Sequence, residues 1–586
     1  MRYIGCRQIA SRGRVWLLIA VALFLALAVR LWCIQIRDHD GYRRQADDRQ
    51  GRCWPIPAPR GNIYDRNGNP LALNLKLFSV AADPALIEHP VQLAGQLEPL
   101  LRMPRSQLAD RLAASEGVRY VRLRDSVDTP AAEAVGDLRC PGLIVSTEWK
   151  RAYPHRTLAA PLLGFIGRDM RALGGIEKAL DEHLAGCDGE MLVVLDGRLP
   201  RSRSQIPNRT VVAKPMTPGS SVTLTLDLDI QAIAEEELAK AVAASGAAGG
   251  TLAVMDPTSG ELLALATQPS FDPNEFRRYP EESWVSQAVV TPYEPGSTFK
   301  VITACAAVEE GVMCRGETYH CAGTRSVADR RISCAPHGGR RDHGDVDLDD
   351  MLIHSCNTGM VTVALALGAD RMHEWVRRFG FGERTGIELA SESRGIVPPP
   401  KRWSQVRVAN VAFGQGISVT PLQLLSACCA IANGGWLVRP RLVKAITDPA
   451  GETTRPDRPE PERILSAATS HRVCAMLEKV VEEGTGQQAR IPGRRVAGKT
   501  GTAQKATREL GFRSGKYIAS FMGFAPAEEP RLAVLVVIDE PRTSHYGGVV
   551  AAPVFRAVCE KALTHLRVPP HAPASRFDLA QARAER

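Results

Sequence analysis

No C-x-x-C pair occurs among the fourteen cysteines of this chain, and the spacing of its Cys and His residues fits no standard zinc finger. Basic residues nowhere cluster with interleaved aromatics, and a formal net charge of +9 is mild for 586 residues. Nucleic-acid binding therefore lacks its electrostatic footprint, and a faintly basic face toward anionic lipid or glycan is the most that charge supports. Acid is missing from residues 1 to 14, which carry Arg2, Arg7, Arg12 and Arg14. An apolar run follows from Val15 to Ile36, interrupted by Arg30. Its roughly 22 residues are enough to cross a bilayer, and the flanking arginines put the N-terminus inside and the remainder outside. Ala26-Leu27-Ala28 resembles a signal-peptide cleavage site. The apolar character persists beyond it and Trp32 suits the interface, so an uncleaved anchor is expected.

The length allows two or more domains with sizeable cores. The expected organisation is a cytoplasmic N-terminus (1–14), a transmembrane helix (15–36), a β-containing non-catalytic module (37–215), an α+β domain (216–566) and a disordered tail (567–586). Within the first module, Arg60 to Gly68 reads as a hairpin on its Asn67-Gly68 turn. Arg151-Ala152-Tyr153-Pro154 with the apolar stretch Leu162 to Gly167 reads as a strand. In the second, Val222 to Leu226 reads as a strand and Asp227 as the cap of a helix over 230–242. Thr251 to Met255 is expected to pair with Leu262 to Thr267 as a hairpin.

Chemistry enters at Tyr293-Glu294-Pro295-Gly296-Ser297-Thr298-Phe299-Lys300, at the head of the apolar run Val301 to Val308. Three residues apart on a helix, Ser297 and Lys300 share a face. The amine can then serve as the base that a serine nucleophile needs, and the helix N-terminus favours the developing alkoxide. S-x-x-K alone is expected by chance about twice in such a chain. Two further motifs follow in order, Ser355-Cys356-Asn357 and Lys499-Thr500-Gly501-Thr502, and K-T-G alone is expected only about 0.1 times. Singly, Ser355 is a cap, Asn357 a turn former and Lys499 a solvated charge. Together, S-x-x-K, S-x-N and K-T-G are the signature shared by penicillin-binding proteins and class A β-lactamases.

With the anchor, Arg60-Gly61-Asn62-Ile63-Tyr64-Asp65-Arg66-Asn67-Gly68 and Arg151-Ala152-Tyr153-Pro154, nearly the whole chain resembles the class B penicillin-binding proteins, the transpeptidases that cross-link peptidoglycan. Tyr546-Gly547-Gly548 running into Ala551-Ala552-Pro553-Val554-Phe555 is more similar to the cell-division branch (FtsI). The loop holding Cys321, Cys334 and His343-Gly344 is reminiscent of elongation-type members. The resemblance implies a single N-terminal membrane helix in the inner membrane, a pedestal domain of the dimerisation type, and a transpeptidase domain of serine β-lactamase-like fold. It implies D-Ala-D-Ala stem peptides and β-lactams as ligands, a membrane glycosyltransferase of the shape, elongation, division and sporulation (SEDS) group, FtsW-like, and other divisome proteins as partners, and no cofactor.

By the same resemblance Ser297 is the nucleophile, Lys300 its base and Ser355 a proton relay. Asn357, Lys499, Thr500, Gly501 and Thr502 bind the substrate, with Asn357 on the peptide backbone or on Lys300. The backbone N–H of Ser297 and the strand at Thr502 make the oxyanion hole. Lys499 is expected to lower the Lys300 pKa by like-charge repulsion, with burial acting in the same direction. No Glu between Ser355 and Lys499 is followed four residues later by Asn, which argues against a class A β-lactamase. A cytoplasmic stub of 14 residues argues against a sensor, and intact motifs argue against a silent scaffold. For Cys321 and Cys334, with His320, His337 and His343 near them, a disulfide, a metal site and plain thiols all stay open. No metal ligand is assigned, and Cys356 takes the middle place of S-x-N.

Overall fold

A computed structural model describes residues 4–42, 51–113, 118, 120–167, 169–195, 205–313, 316–336, 340–505 and 515–570. A single helix among them, Ile4–Trp32, belongs to a segment long and apolar enough to cross a membrane, Arg12–Arg37, and none of that segment is buried. Most of the expected tail lies outside the described residues, as does His337.

Two compact units are formed, and the chain passes between them more than once. One comprises Met1–Pro59, Lys76–Lys150 and Gly186–Pro218; the other comprises Arg60–Leu75, Arg151–Ala185 and Gly219–Arg586. Two stretches expected in the first module, Arg60–Leu75 and Arg151–Ala185, pack with Gly219–Arg586. No local pattern announces this, since what decides it is pairing between residues far apart in the chain.

In the first unit Phe78 to Ala82 pairs antiparallel with Val121–Val127. Helix Pro90–Leu101 buries Leu93, Ala94, Leu97 and Leu101, the three- and four-residue spacing of one helical face. These meet Val80, Ala82, Leu108, Leu123 and Val135 in one cluster. A separate antiparallel sheet joins Gly51–Ile56, Gly189–Leu195 and Gln205–Lys214.

The second unit carries the site. Its elements are labelled here α1 (Leu228–Ser245), β1 (Gly249–Met255), β2 (Leu262–Gln268), α2 (Lys300–Glu309), β3 (Tyr319–Cys321), β4 (Thr324–Val327), β5 (Arg330–Ser333), β6 (Gly344–Val346), α3 (Leu348–Ile353), α4 (Asn357–Leu367), α5 (Pro421–Ala432), α6 (Ala467–Glu482), β7 (Ala497–Gln504), β8 (Tyr517–Ala525), β9 (Leu532–Asp539) and α7 (Ala552–His565). Five strands make an antiparallel sheet in the order β2-β1-β9-β8-β7. Alternate residues face opposite sides of a strand, and both sides of this sheet are covered. Leu252, Val254, Val534 and Val536 join Ile230, Leu238, Phe555 and Val558 of α1 and α7. Ala253, Met255, Ala533 and Leu535 join Ile302, Leu424, Leu425 and Leu477 of α2, α5 and α6. That double burial explains why these strands read as nearly unbroken apolar runs.

The expected hairpin of β1 and β2 is present. So is the Asp227 cap, whose carboxylate accepts the N–H groups of Asp229 and Ile230 at the head of α1. Ile63–Tyr64 pairs with Pro70–Ala72 around a turn in which Asp65 accepts from Asn67 and Asn69. The strand expected at 162–167 is instead one helical turn, Ala160–Leu163, followed by the buried Phe165. A short apolar run buried all round carries no period to separate strand from helix.

The two motif stretches of the first module meet at Glu177, which is fully buried. Arg151 Nε donates to its Oε1 at 2.6 Å, Arg60 Nη2 to its Oε2 at 3.1 Å, and the Tyr153 hydroxyl reaches Oε1 at 3.3 Å. Two guanidiniums on one carboxylate compensate charges that could not otherwise stay out of water. Burial and the Glu177 charge push the Tyr153 phenol well above its usual range.

Candidate active site

Ser297 sits in a single 3-10 turn, Gly296–Phe299, that runs directly into α2. Thr298 Oγ1 closes the turn by donating to the Pro295 carbonyl at 2.8 Å. Gly296 has φ +59°, a conformation that costs glycine little and other residues more. Strand β7 lies against this turn. A side chain at Gly501 would collide with Ser520 Oγ and come within 2.9 Å of Thr298 Cγ2, so glycine there lets the strand approach the serine turn.

Ser355 occupies the corner between α3 and α4 with φ +55°, a left-handed conformation that non-glycine residues adopt rarely and at a cost. The corner points its oxygens at Lys300, whose ammonium donates to the Ser355 carbonyl at 2.5 Å and to Ser355 Oγ at 3.0 Å. Lys300 is fully buried. The amine of the first motif is therefore engaged by the serine of the second, and its hydrogen bonds run to Ser355 where the helical spacing pointed to Ser297. Asn357, the first residue of α4, donates from Nδ2 to the Ser333 carbonyl at 2.8 Å, so its partner here is the β5 strand end and not Lys300.

Lys499 is also fully buried, and its ammonium lies 3.3 Å from both the carbonyl and Oγ1 of Thr500. Thr500 Oγ1 is 2.7 Å from Thr485 Oγ1, and Thr502 Oγ1 accepts the Gly547 N–H at 3.3 Å. β7 is the sheet edge. A cleft of about 1080 Å³ is lined by Ser297, Ser355, Asn357, Thr500 and Thr502, together with Arg331, Ser333, Thr485, Tyr517, His545 and Tyr546. Lys300, Lys499 and Gly501 do not line it. Thr485 carries no recognisable signature in Gly484-Thr485-Gly486, and the pairing of its hydroxyl with Thr500 is a tertiary event.

Burial lowers the Lys300 pKa from 10.5 to about 8, while the nearby Cys356 and Cys334 sulfurs pull it upward. Lys499 falls well below its ordinary value, first through burial and then through the charge on Lys300. The expected repulsion between the two ammoniums is thus felt at Lys499.

Beside Ser355 lies a second cluster. Cys321 Sγ stands 3.8 Å from Cys334 Sγ and 3.5 Å from Cys356 Sγ, and Cys334 stands 3.8 Å from Cys356. His343 Nδ1 is 3.3 Å from Cys321 Sγ. No disulfide joins Cys321 to Cys334. His320 turns away, pairing with Asp345 at 2.7 Å on the surface. Hydrogen bonding from Cys356 is the first cause that lowers the Cys334 thiol, and the same contact raises Cys356.

Residues 250–560 match the penicillin binding protein transpeptidase domain, and residues 55–224 match the penicillin-binding protein dimerisation domain. The chain is 34% identical over 560 residues to stage V sporulation protein D of Bacillus subtilis, covering 94% of this chain and 85% of that protein. It is 31% identical over 566 residues to peptidoglycan D,D-transpeptidase FtsI of Escherichia coli, covering 95% and 91%. The crystal structure of penicillin binding protein 3 from Mycobacterium tuberculosis complexed with aztreonam superposes with a TM-score of 0.69 at 30% identity, over 89% of this chain and 99% of that one. With its three motifs folded around one cleft and both family domains in order, the chain belongs to the class B penicillin-binding proteins.

Proposed function

We propose that Ser297 forms the acyl-enzyme of this serine-type peptidoglycan D,D-transpeptidase, with Lys300, Ser355, Asn357, Lys499, Thr500, Gly501 and Thr502 as the supporting site. The enzyme class follows from family membership, and ligands of that class are peptidoglycan stem peptides and β-lactams. The observation that carries the residue assignment is the convergence of Ser297, Ser355, Asn357, Thr500 and Thr502 on one cleft above the buried ammonium of Lys300.

The Ser297 hydroxyl attacks the penultimate D-Ala carbonyl and Lys300 takes its proton. With a pKa of about 8, roughly one-tenth of Lys300 is neutral at pH 7, against less than about one-thousandth for an exposed lysine. The backbone N–H groups of Ser297 and Thr502 receive the oxyanion. Ser355 Oγ, 3.0 Å from the Lys300 amine, relays the proton to the departing D-Ala amine. Asn357 aligns the peptide, and Gly501 lets its strand lie close to the nucleophile turn. The substrate carboxylate is held by the Thr500 and Thr502 hydroxyls beside Lys499, whose ammonium form its negative charge favours, since an opposite charge favours the ionised form. An acceptor amine then attacks the ester and returns Ser297. Release of D-Ala from a stem peptide, with and without an acceptor amine, tests this, and loss of both activities in Ser297→Ala is the expected result.

The cellular role proposed is septal wall synthesis. Its support is the similarity of Tyr546-Gly547-Gly548 and the residues after it to the division branch, together with the FtsI relative. An elongation role is favoured by the Cys321 to Gly344 loop. Filaments on depletion of the protein support the septal role, and rounded cells the other. The helix Ile4–Trp32 anchors the chain in the inner membrane with the cleft outside. Glycan strands come from a SEDS-type, FtsW-like polymerase, met through residues 15–36 and the hairpin at Arg60 to Gly68 within a divisome assembly. Co-purification that survives replacement of both segments would refute that surface.

A further inference from the structure

We propose that Cys321, Cys334, His343 and Cys356 form a closed structural zinc site that fastens the β3 to β6 region to the head of α4. The four donors come from separate places: the end of β3, the residue after β5, the residue before β6, and the N-cap of α4. Nothing local brings them together. Yet their ligand atoms all lie within 4.8 Å of one another, and the three sulfurs are buried.

The geometry separates a metal from a disulfide. A disulfide holds one pair of sulfurs at about 2.05 Å and leaves the third apart. Here the three separations are nearly equal, 3.5, 3.8 and 3.8 Å. Zinc–sulfur bonds of about 2.3 Å in a tetrahedron give a sulfur–sulfur edge of about 3.8 Å. His343 Nδ1 at 3.3 Å from Cys321 Sγ supplies the fourth corner. Three soft thiolates and an imidazole select zinc among the common divalent ions. Four protein ligands leave no open position, which is the mark of a structural centre.

Metal-bound thiolates are normally hydrogen-bonded by their surroundings, and donors are in place. The Gly359 N–H reaches Cys356 Sγ at 3.3 Å. Thr358 Oγ1, fully buried, lies 3.2 Å from Cys321 Sγ and 3.5 Å from each of the other two sulfurs. Binding exchanges protons for metal: up to three thiol protons leave to solvent as one Zn²⁺ enters, with no change of oxidation state.

Two of the ligands adjoin the cleft. Cys356 lies between Ser355 and Asn357, and Cys334 follows Ser333, whose carbonyl accepts the Asn357 amide. A metal joining these two cysteines fixes both ends of that hydrogen bond. The assignment of the metal does not depend on the role given to Ser355.

The full chain, extracted in detergent and purified without chelator or reductant, is tested by elemental analysis, thiol alkylation and cobalt substitution. The expected results are about one zinc per chain after dialysis, and at least tenfold slower alkylation of the peptides holding Cys321, Cys334 and Cys356 than after chelation. Cobalt should give thiolate charge-transfer bands and tetrahedral visible bands. Cys321→Ser and His343→Ala should lose the zinc, while Cys187→Ser, an exposed thiol elsewhere, should keep it. A metal-free wild-type chain whose three thiols alkylate freely, or one that carries a disulfide between any two of them, overturns the proposal, and neither result requires a variant to fold.

Discussion

Protonation of Lys300 offers the sharpest handle on the mechanism. Its amine is fully buried and hydrogen-bonded to Ser355, and burial brings its pKa from 10.5 to about 8. The base must be neutral to accept the Ser297 proton. Acylation should therefore climb tenfold per pH unit below about pH 8 and level off above it. Worked from that value, the neutral fraction is about 1% at pH 6 and about 90% at pH 9, so the second-order acylation rate should rise on the order of 90-fold. The assay is acylation by a fluorescent penicillin of the purified full chain, followed over seconds at each pH, with circular dichroism confirming the fold. Lys300→Arg should stay inactive at every pH, because a guanidinium cannot give up its proton. Stability must move consistently. Between about pH 8 and 10.5 the unfolded chain holds the Lys300 proton and the native chain does not, so Lys300 contributes a rise in stability with pH across that window. The same rise should be missing in Lys300→Met. A pH-independent acylation rate, or a midpoint near 10.5, would refute the base assignment.

Gly501→Ala should slow acylation at least tenfold with little loss of secondary structure, because the added methyl meets Thr298 and Ser520 beside the nucleophile turn; an unchanged rate would show that the approach of β7 is not limiting. Glu177→Gln leaves Arg151 buried without its carboxylate and Arg60 with the half-exposed Asp181 and should cost about 3–5 kcal/mol, read as a lowered denaturation midpoint, whereas a midpoint within error of wild type would contradict the network's role. Chelation of the wild-type chain should slow acylation at least fivefold, with recovery on adding zinc but not magnesium. An acylation rate indifferent to chelator would separate the metal from the positioning of Ser355 and Asn357.

The site was legible where chemistry is carried by short spacings. Ser297 with Lys300, Ser355 with Asn357, and Lys499 through Thr502 each form a local string, and four of these strings' members open onto the cleft beside Thr500. Sheet strands and the hairpins were legible too, because turn residues and caps such as Asp227 act within a few positions. What escaped depends on long-range contact. Lys300 turns to Ser355, 55 residues away. Arg60 and Arg151, some 90 residues apart, close on Glu177 within the unit that holds the C-terminal residues. Cys356 was read only as the middle of S-x-N, although its sulfur joins cysteines 35 and 22 residues upstream. The like-charge repulsion expected at Lys300 falls on Lys499, where burial acts in the same direction, an outcome that charge spacing alone does not contain.

Mapping the penicillin adduct tests the central assignment most directly. Wild-type chain labelled with penicillin, digested and sequenced by mass spectrometry should carry the acyl group on Ser297, in the peptide that spans the 3-10 turn at Gly296–Phe299. Ser297→Ala, shown to be folded by its thermal midpoint, should carry none. An adduct on any other serine, or persistent labelling of Ser297→Ala, would contradict the account.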